Sequence, residues 1–287
     1  MENGLGGRVA VVAGATRGIG LSVAYALAGA GASLVINGRD ADAVAAAVDE
    51  ITGGGEVEAV GVVGPASEVA DEIVATAVRR FGALDVAINC AGVAEPPGST
   101  ILTITREQFE EQIDAHLMSA FALTQAAGRL MAEQGSGSIV LTGSAASHGM
   151  FGGSGYPAGK GGVNALTLAA AADLKSSGVR VNAVLPGARS RLSTGDDYVR
   201  HIEGLHERGI LDDGLRDAAL DPAPPEYVAP LYVFLAGQMS NGITGQIFSA
   251  AGGFIGRYDP AQPSFIAYRD HNDSDPYSLD ELAALLG

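Results

Sequence analysis

The 287 residues hold one cysteine, Cys90, and no tryptophan. A lone cysteine excludes an internal disulfide and a thiolate zinc site, and it suits a reducing cytoplasm, the expected location. Lysine is nearly missing as well: of 17 basic residues only Lys160 and Lys175 are lysine. Positive charge is scarce overall, with 33 acidic residues leaving a net charge of −16, which excludes nucleic acid as a partner. Hydrophobic residues make up 47%, yet no long uncharged apolar run occurs, so neither a transmembrane helix nor a membrane partner is expected. The N-terminus has no basic segment followed by an apolar one, and no signal peptide is expected. Histidines and carboxylates never fall at metal-ligand spacing, so no metal is expected.

What is present is alternation. Short β-branched runs at 8–13, 33–37, 57–62, 84–89, 138–142, 179–185 and 246–249 read as strands. Ala-rich segments at 21–30, 41–51, 69–81, 106–134, 156–177 and 225–237 read as helices. Strict alternation implies right-handed crossovers: an α/β Rossmann fold, a doubly wound parallel sheet of about seven strands with helices on both faces. The expectation is one domain over 1–287, with a substrate-lid insertion at 189–225 and a C-terminal tail at 257–287. The lid has more carboxylates than arginines and closes on Pro222-Ala223-Pro224-Pro225. It follows a strand end, where ligands bind in such sheets.

The first strand runs into Gly14-Ala15-Thr16-Arg17-Gly18-Ile19-Gly20. Glycines permit a sharp turn and close backbone approach, and the next helix aims its positive N-terminus at a pyrophosphate. The second strand ends Asn37-Gly38-Arg39-Asp40, with glycine where an acidic residue would bind the 2′-hydroxyl of NAD. Arg39 and Arg17 suit a 2′-phosphate, so NADP(H) is the expected cofactor. Asp40 is either the N-cap of the following helix or a displaced NAD carboxylate.

Tyr156 and Lys160 are four residues apart, on one helical face, and Ser144 precedes the tyrosine by twelve. An ammonium beside a phenol lowers its pKa and equips it for proton transfer near neutrality. A serine hydroxyl nearby can hold the same substrate oxygen.

With these residues the chain resembles the short-chain dehydrogenase/reductase family over nearly its whole length. Gly14, Gly18, Ile19 and Gly20 match the glycine motif, Asn89-Cys90-Ala91-Gly92 the Asn-Asn-Ala-Gly segment, and Ser144, Tyr156 and Lys160 the catalytic triad. Asn182 and Pro186-Gly187 match the segment leading to the nicotinamide. His116-Leu117, Ser190-Arg191-Leu192, 225–230 and 251–256 are similar to the (3R)-hydroxyacyl-CoA dehydrogenase part of peroxisomal multifunctional enzymes and to bacterial hydroxysteroid dehydrogenases.

The resemblance implies hydride transfer between a nicotinamide and a ketone or secondary alcohol. Tyr156 would be general acid and base, Lys160 would stabilise tyrosinate and bond the ribose, and Ser144 would orient the carbonyl. Asn89, Ala91, Gly92, Pro186 and Gly187 would shape the cofactor bed. Several positions depart from the pattern. Gly64-Pro65 stands where an Asp commonly meets adenine. The Ser–Tyr spacing is one residue short, which keeps Ser147 as an alternative. His116 replaces an asparagine and is either catalytic or a packed histidine bonded to backbone.

The substrate expected is a small ketone or alcohol. The alternatives are a hydroxyacyl-CoA or hydroxysteroid dehydrogenase using NAD, a lyase or isomerase on the same fold, and a non-catalytic NADP-binding scaffold or sensor. Abundant alanine and leucine on the helix at 156–177 imply a homo-oligomer. The resemblance implies that this helix and the one at 106–134 form the main interface, and that a tetramer is expected before a dimer.

Overall fold

A computed structural model describes residues 4–54, 57–190, 193–259 and 262–287. Arg191, Leu192 and Pro260 lie outside the described residues. The strands are β1 (Val9–Ala13), β2 (Ser33–Gly38), β3 (Ala59–Val63), β4 (Val86–Asn89), β5 (Gly137–Thr142), β6 (Val179–Gly187), β7 (Ile247–Ala251) and β8 (Phe254–Tyr258). They form one sheet in the order β3-β2-β1-β4-β5-β6-β7-β8. β3 to β7 along that order run parallel, the expected seven, and β8 adds an antiparallel strand at the edge. This eighth strand takes in Arg257, where the tail was expected to begin, because Gly252 turns the chain back at φ 52°.

β1 and β4 are buried along their whole length, as befits parallel strands covered on both faces. One face is covered by α3 (Ala66–Phe81), α4 (Arg106–Ile113), α5 (Ser119–Gln134) and α6 (Gly155–Leu174), whose core includes Ile73, Leu123, Met131 and Val163. The other is covered by α1 (Gly18–Gly29), α2 (Ala41–Thr52) and α9 (Ala229–Ala236), around Leu27, Leu34, Tyr232 and Leu235. The chain builds outward from β1 to β3, then crosses back to β4. The crevice at that reversal opens above Ala13 and Asn89, which are register partners.

Three segments differ from expectation. The helix expected at 106–134 is interrupted by a π-helical turn at Asp114–Met118. The helix expected at 225–237 starts as a 3₁₀ turn, because Pro225 and Pro230 leave donors missing. The lid folds into α7 (Asp196–Glu207) and α8 (Asp213–Leu220) around a small core of Ile202, Leu205 and Leu211. The last helix, α10 (Leu279–Leu286), lies in the tail.

Candidate active site

A cleft of about 1600 Å³ opens over the carboxyl ends of β1, β4, β5 and β6 and runs beneath the lid. Its floor begins at the glycine turn. A Cβ at Gly20 would lie 2.1 Å from the Gly14 carbonyl oxygen, and one at Gly14 would lie 2.7 Å from Ala91 Cα. Gly14 and Gly18 also have φ of 71° and 55°, open to glycine at little cost. The bare backbone therefore forms a cradle that side chains would fill.

At the end of β2, Gly38 is buried against Thr16, whose Cγ2 would be 2.4 Å from a Cβ there. Arg17 and Arg39 lie on the cleft wall, both exposed. Among the described residues neither has an ion-pair partner. Asp40 accepts from the Ala43 N–H at 2.9 Å as the N-cap of α2, and it also lines the cleft. Asn37, buried beneath, donates to the carbonyls of Val62 and Gly64 and pins β2 to the end of β3.

Thr16, Ile19, Ala91, Gly92, Pro186 and Gly187 all line the cleft. Asn89 stands just behind them. Its side chain turns behind the wall, donating to Ser119 Oγ at 3.1 Å and accepting from the Ala91 N–H at 2.8 Å. It supports the bed without touching it. Asn182 is likewise a brace, donating to Ile243 O at 2.8 Å and tying β6 to β7.

Tyr156 and Lys160 stand on the first two turns of α6 and face the cleft with Ser144. Lys160 is 4% exposed, and its Nζ donates to Thr142 O at 2.7 Å. Burial pushes its pKa down to about 8. The ammonium lies 5.9 Å from the Tyr156 ring centroid. The expected lowering of the phenol is not seen: burial raises it, opposed only by the hydrogen bond with Ser144. The Lys160 ammonium, held by Thr142 O, does not offset that burial. Ser147 is removed as an alternative. Its hydroxyl donates to Ser144 O at 2.6 Å and accepts from Asn164 at 3.0 Å, away from the cleft.

His116 sits in the π turn, 1% exposed, with Nε2 bonded to Val93 O at 3.0 Å. A ring nitrogen facing a carbonyl is the protonated one, so Nδ1 is left as a buried acceptor with no partner among the described residues. Burial, then the Lys160 charge, push its pKa down to about 2. The ring fits because Gly92 and Gly159 have no Cβ; at Gly92 one would lie 2.6 Å from His116 Cε1. His116 is packed and bonded to backbone, and it lines the cleft.

Two features were missed from sequence. Cys90 lies beside Lys160 at the end of β4; its thiol accepts from Thr142 Oγ1 at 3.3 Å, and burial pushes it up to about 11, so it stays protonated. Glu95, on the loop after β4, bonds to the start of α6 through backbone N–H groups 59 to 61 residues away. No local pattern signals that pairing.

The lid closes the far side with Tyr198, Ile202, Leu215 and Ala219 on the cleft wall. His201 donates from Nε2 to Phe151 O at 3.0 Å and latches α7 to the loop before α6. The bare cradle fits the pyrophosphate of a dinucleotide.

A family model described as Enoyl-(Acyl carrier protein) reductase matches residues 14–255. The chain belongs to the short-chain dehydrogenase/reductase family. Hydroxyacyl-CoA dehydrogenase ChsB1 of Mycobacterium tuberculosis is 32% identical, over 96% of this chain and 87% of that protein. A 3alpha-hydroxysteroid dehydrogenase of Mediterraneibacter gnavus is 31% identical, over 85% of this chain and 96% of that protein. The crystal structure of a short chain dehydrogenase from Mycobacterium avium superposes with a TM-score of 0.78 at 30% identity, covering 98% of this chain and 95% of that one. The chain is thus an oxidoreductase of a family that works with a nicotinamide dinucleotide.

Proposed function

We propose that this protein is an NADP(H)-dependent oxidoreductase that interconverts a neutral ketone and its secondary alcohol. The observation that carries the reading is the convergence of Tyr156, Lys160 and Ser144 on one cleft, over a glycine cradle flanked by two unpaired arginines. When bound, the dinucleotide supplies the hydride. The chain supplies the proton and the geometry. Tyr156, kept protonated by burial, gives its phenolic proton to the carbonyl oxygen as negative charge develops there. Ser144 bonds the same oxygen and orients the carbonyl. Lys160 stabilises the tyrosinate that remains and is positioned to bond the ribose. Gly14, Gly18, Gly20, Ala91, Gly92, Pro186 and Gly187 form the bed, and Arg17 and Arg39 hold the 2′-phosphate.

The described residues of the lid favour a neutral substrate over a CoA thioester, whose phosphates call for free cations. Arg189 pairs with Asp221 at 3.3 Å and Arg216 with Asp217 at 2.7 Å. Arg200 pairs with Asp197, and Arg208 donates to Gly204 O at 3.0 Å. Tyr198, Ile202, Leu215 and Ala219 line the inner face together with Asp197 and Asp221, whose carboxylates would repel phosphates. The ChsB1 name keeps an NAD-dependent hydroxyacyl-CoA activity as the second reading, and a neutral polycyclic ketone fits the first. The proposal includes a homotetramer in the cytoplasm; no described helix is long and apolar enough to cross a membrane.

The test is a panel of ketones and CoA thioesters, with trans-1-decalone as the apolar probe, assayed with NADPH and NADH. Decalone reduction with NADPH consumed in equal amount supports the reading and excludes a scaffold, a lyase or an isomerase. Arg39→Ala should weaken NADPH binding about tenfold and leave NADH unchanged, since one charge-assisted contact is lost. Equal affinity of the parent protein for the two cofactors would refute the assignment.

A further inference from the structure

The helix that carries Tyr156 has no cap of its own. Its N-cap residue, Ser154, has φ −138° and ψ −53° and makes no side-chain bond to the first turn. The Ser154 hydroxyl is buried without a partner among the described residues. Pro157 follows Tyr156 and contributes no N–H. The first-turn donors would therefore be unsatisfied.

They are met from elsewhere. Glu95 Oε1 accepts from the N–H groups of Ser154 at 3.0 Å and Gly155 at 3.3 Å, and Oε2 accepts from that of Tyr156 at 2.5 Å. Ser99 Oγ donates to Oε1 at 2.8 Å and fixes the carboxylate from its own loop. One residue earlier, Gln112 Nε2 donates to Ala94 O at 2.7 Å and anchors that loop to α4. Gly153, at φ 78°, brings the chain against the carboxylate; a Cβ there would lie 3.2 Å from Glu95 Cδ. A carboxylate at a helix N-terminus also meets the positive end of the helix dipole.

We propose that Glu95 is a positioning residue for proton transfer. It clamps the first turn of α6 and so holds the Tyr156 phenol at the oxygen bonded by Ser144. Lys160 does not need this clamp, being a turn further in and held by Thr142 O. A free first turn would fray. The phenol would then wander while the lysine and the glycine cradle stayed in place. The inference rests on Tyr156 being the proton donor.

The test uses the full chain with Glu95→Ala, Glu95→Gln and Tyr156→Phe. Hydrogen exchange on the cofactor-free protein needs no substrate. In Glu95→Ala the amides of residues 154–156 should exchange about tenfold faster, with the rest of the chain unchanged. In decalone reduction, kcat should fall about 10- to 100-fold, the cost of a misplacement near 1 Å. The NADPH Kd, read from the nucleotide's own fluorescence, should stay within about threefold. Glu95→Gln keeps the side-chain volume and carries the same test at intermediate size if the alanine variant folds poorly. Unchanged exchange at 154–156 overturns the proposal, as does kcat within twofold of the parent. A parallel loss of kcat and NADPH affinity overturns it too, since that marks a merely structural role. If Tyr156→Phe keeps its activity, the proton-donor assignment fails instead.

Discussion

The rings of His116 and Tyr156 meet edge to face, with centroids 4.8 Å apart and planes at 82°. The contact brings a histidine that cannot readily charge against the proposed proton donor. An imidazolium there would sit beside the Lys160 ammonium, with no counter-ion bonded to it among the described residues. The structure therefore keeps His116 neutral, and a cost appears when acid forces a proton onto it.

That cost is measurable. His116 has a folded pKa near 2 against about 6.5 unfolded, so below pH 6.5 the unfolded chain binds more protons. Its contribution is complete above pH 6.5 and is lost as pH falls, at about 1.4 kcal/mol per pH unit. Urea unfolding between pH 6.5 and 4.5 should show a steeper loss in the parent than in His116→Asn. Equal slopes would show that His116 is not buried as a neutral ring.

Lys160 sets an alkaline limit on reduction. Tyr156 stays protonated because burial raises its pKa, while Lys160 loses its charge as pH passes about 8. For decalone reduction, kcat/KM should fall as pH rises through that value, and Lys160→Met should be slow with no such limb. A limb that persists in Lys160→Met would assign it to another group.

Cofactor switching has a steric condition. Gly38→Asp with Arg39→Ala should turn preference toward NADH, but the new Cβ lies 2.4 Å from Thr16 Cγ2. The double variant should melt several degrees lower, as expected of about 1–3 kcal/mol of overpacking. Adding Thr16→Ser removes that methyl group and should recover most of the loss. A double variant as stable as the parent would mean that Thr16 moves aside freely.

Assembly should run through α5 and α6. Phe121 and Leu168 are each 41% exposed on these helices, and Met118 is 42% exposed at the start of α5. Light scattering at micromolar concentration should give a multiple of the 28.9 kDa chain mass. Phe121→Glu with Leu168→Glu should bring it down to the monomer, since two charges would oppose burial of that face. A parent protein already at the chain mass would dispose of the tetramer.

The parts readable from sequence are those written in neighbouring residues. Strand β1 announces itself as a wholly apolar run, the glycine turn follows at once, and Tyr156 and Lys160 are one helical turn apart. Where contacts join distant segments, the sequence is silent. Glu95 meets α6 across 61 residues, and nothing near it spells a cap. Asn89 was placed on the cleft wall because its neighbours are there, but its amide finds Ser119 behind the wall. The Tyr156 phenol is raised by burial, and the Lys160 ammonium is turned to Thr142 O, a tertiary contact across 18 residues. β8 was not expected because its five residues are interrupted by Gly256, which weakens a strand pattern.

The π turn at Asp114–Met118 makes this part of the chain a counted length. On one side of it Gln112 holds Ala94, and on the other Ser119 receives Asn89, so one helix grips the loop after β4 and the other the last residue of β4. Losing one residue between them would rotate one helix against the other by about 100°. Only one grip could then survive. Relatives that diverge freely in residue type here should keep the spacing between these two positions, and insertions or deletions should gather in the lid and tail instead.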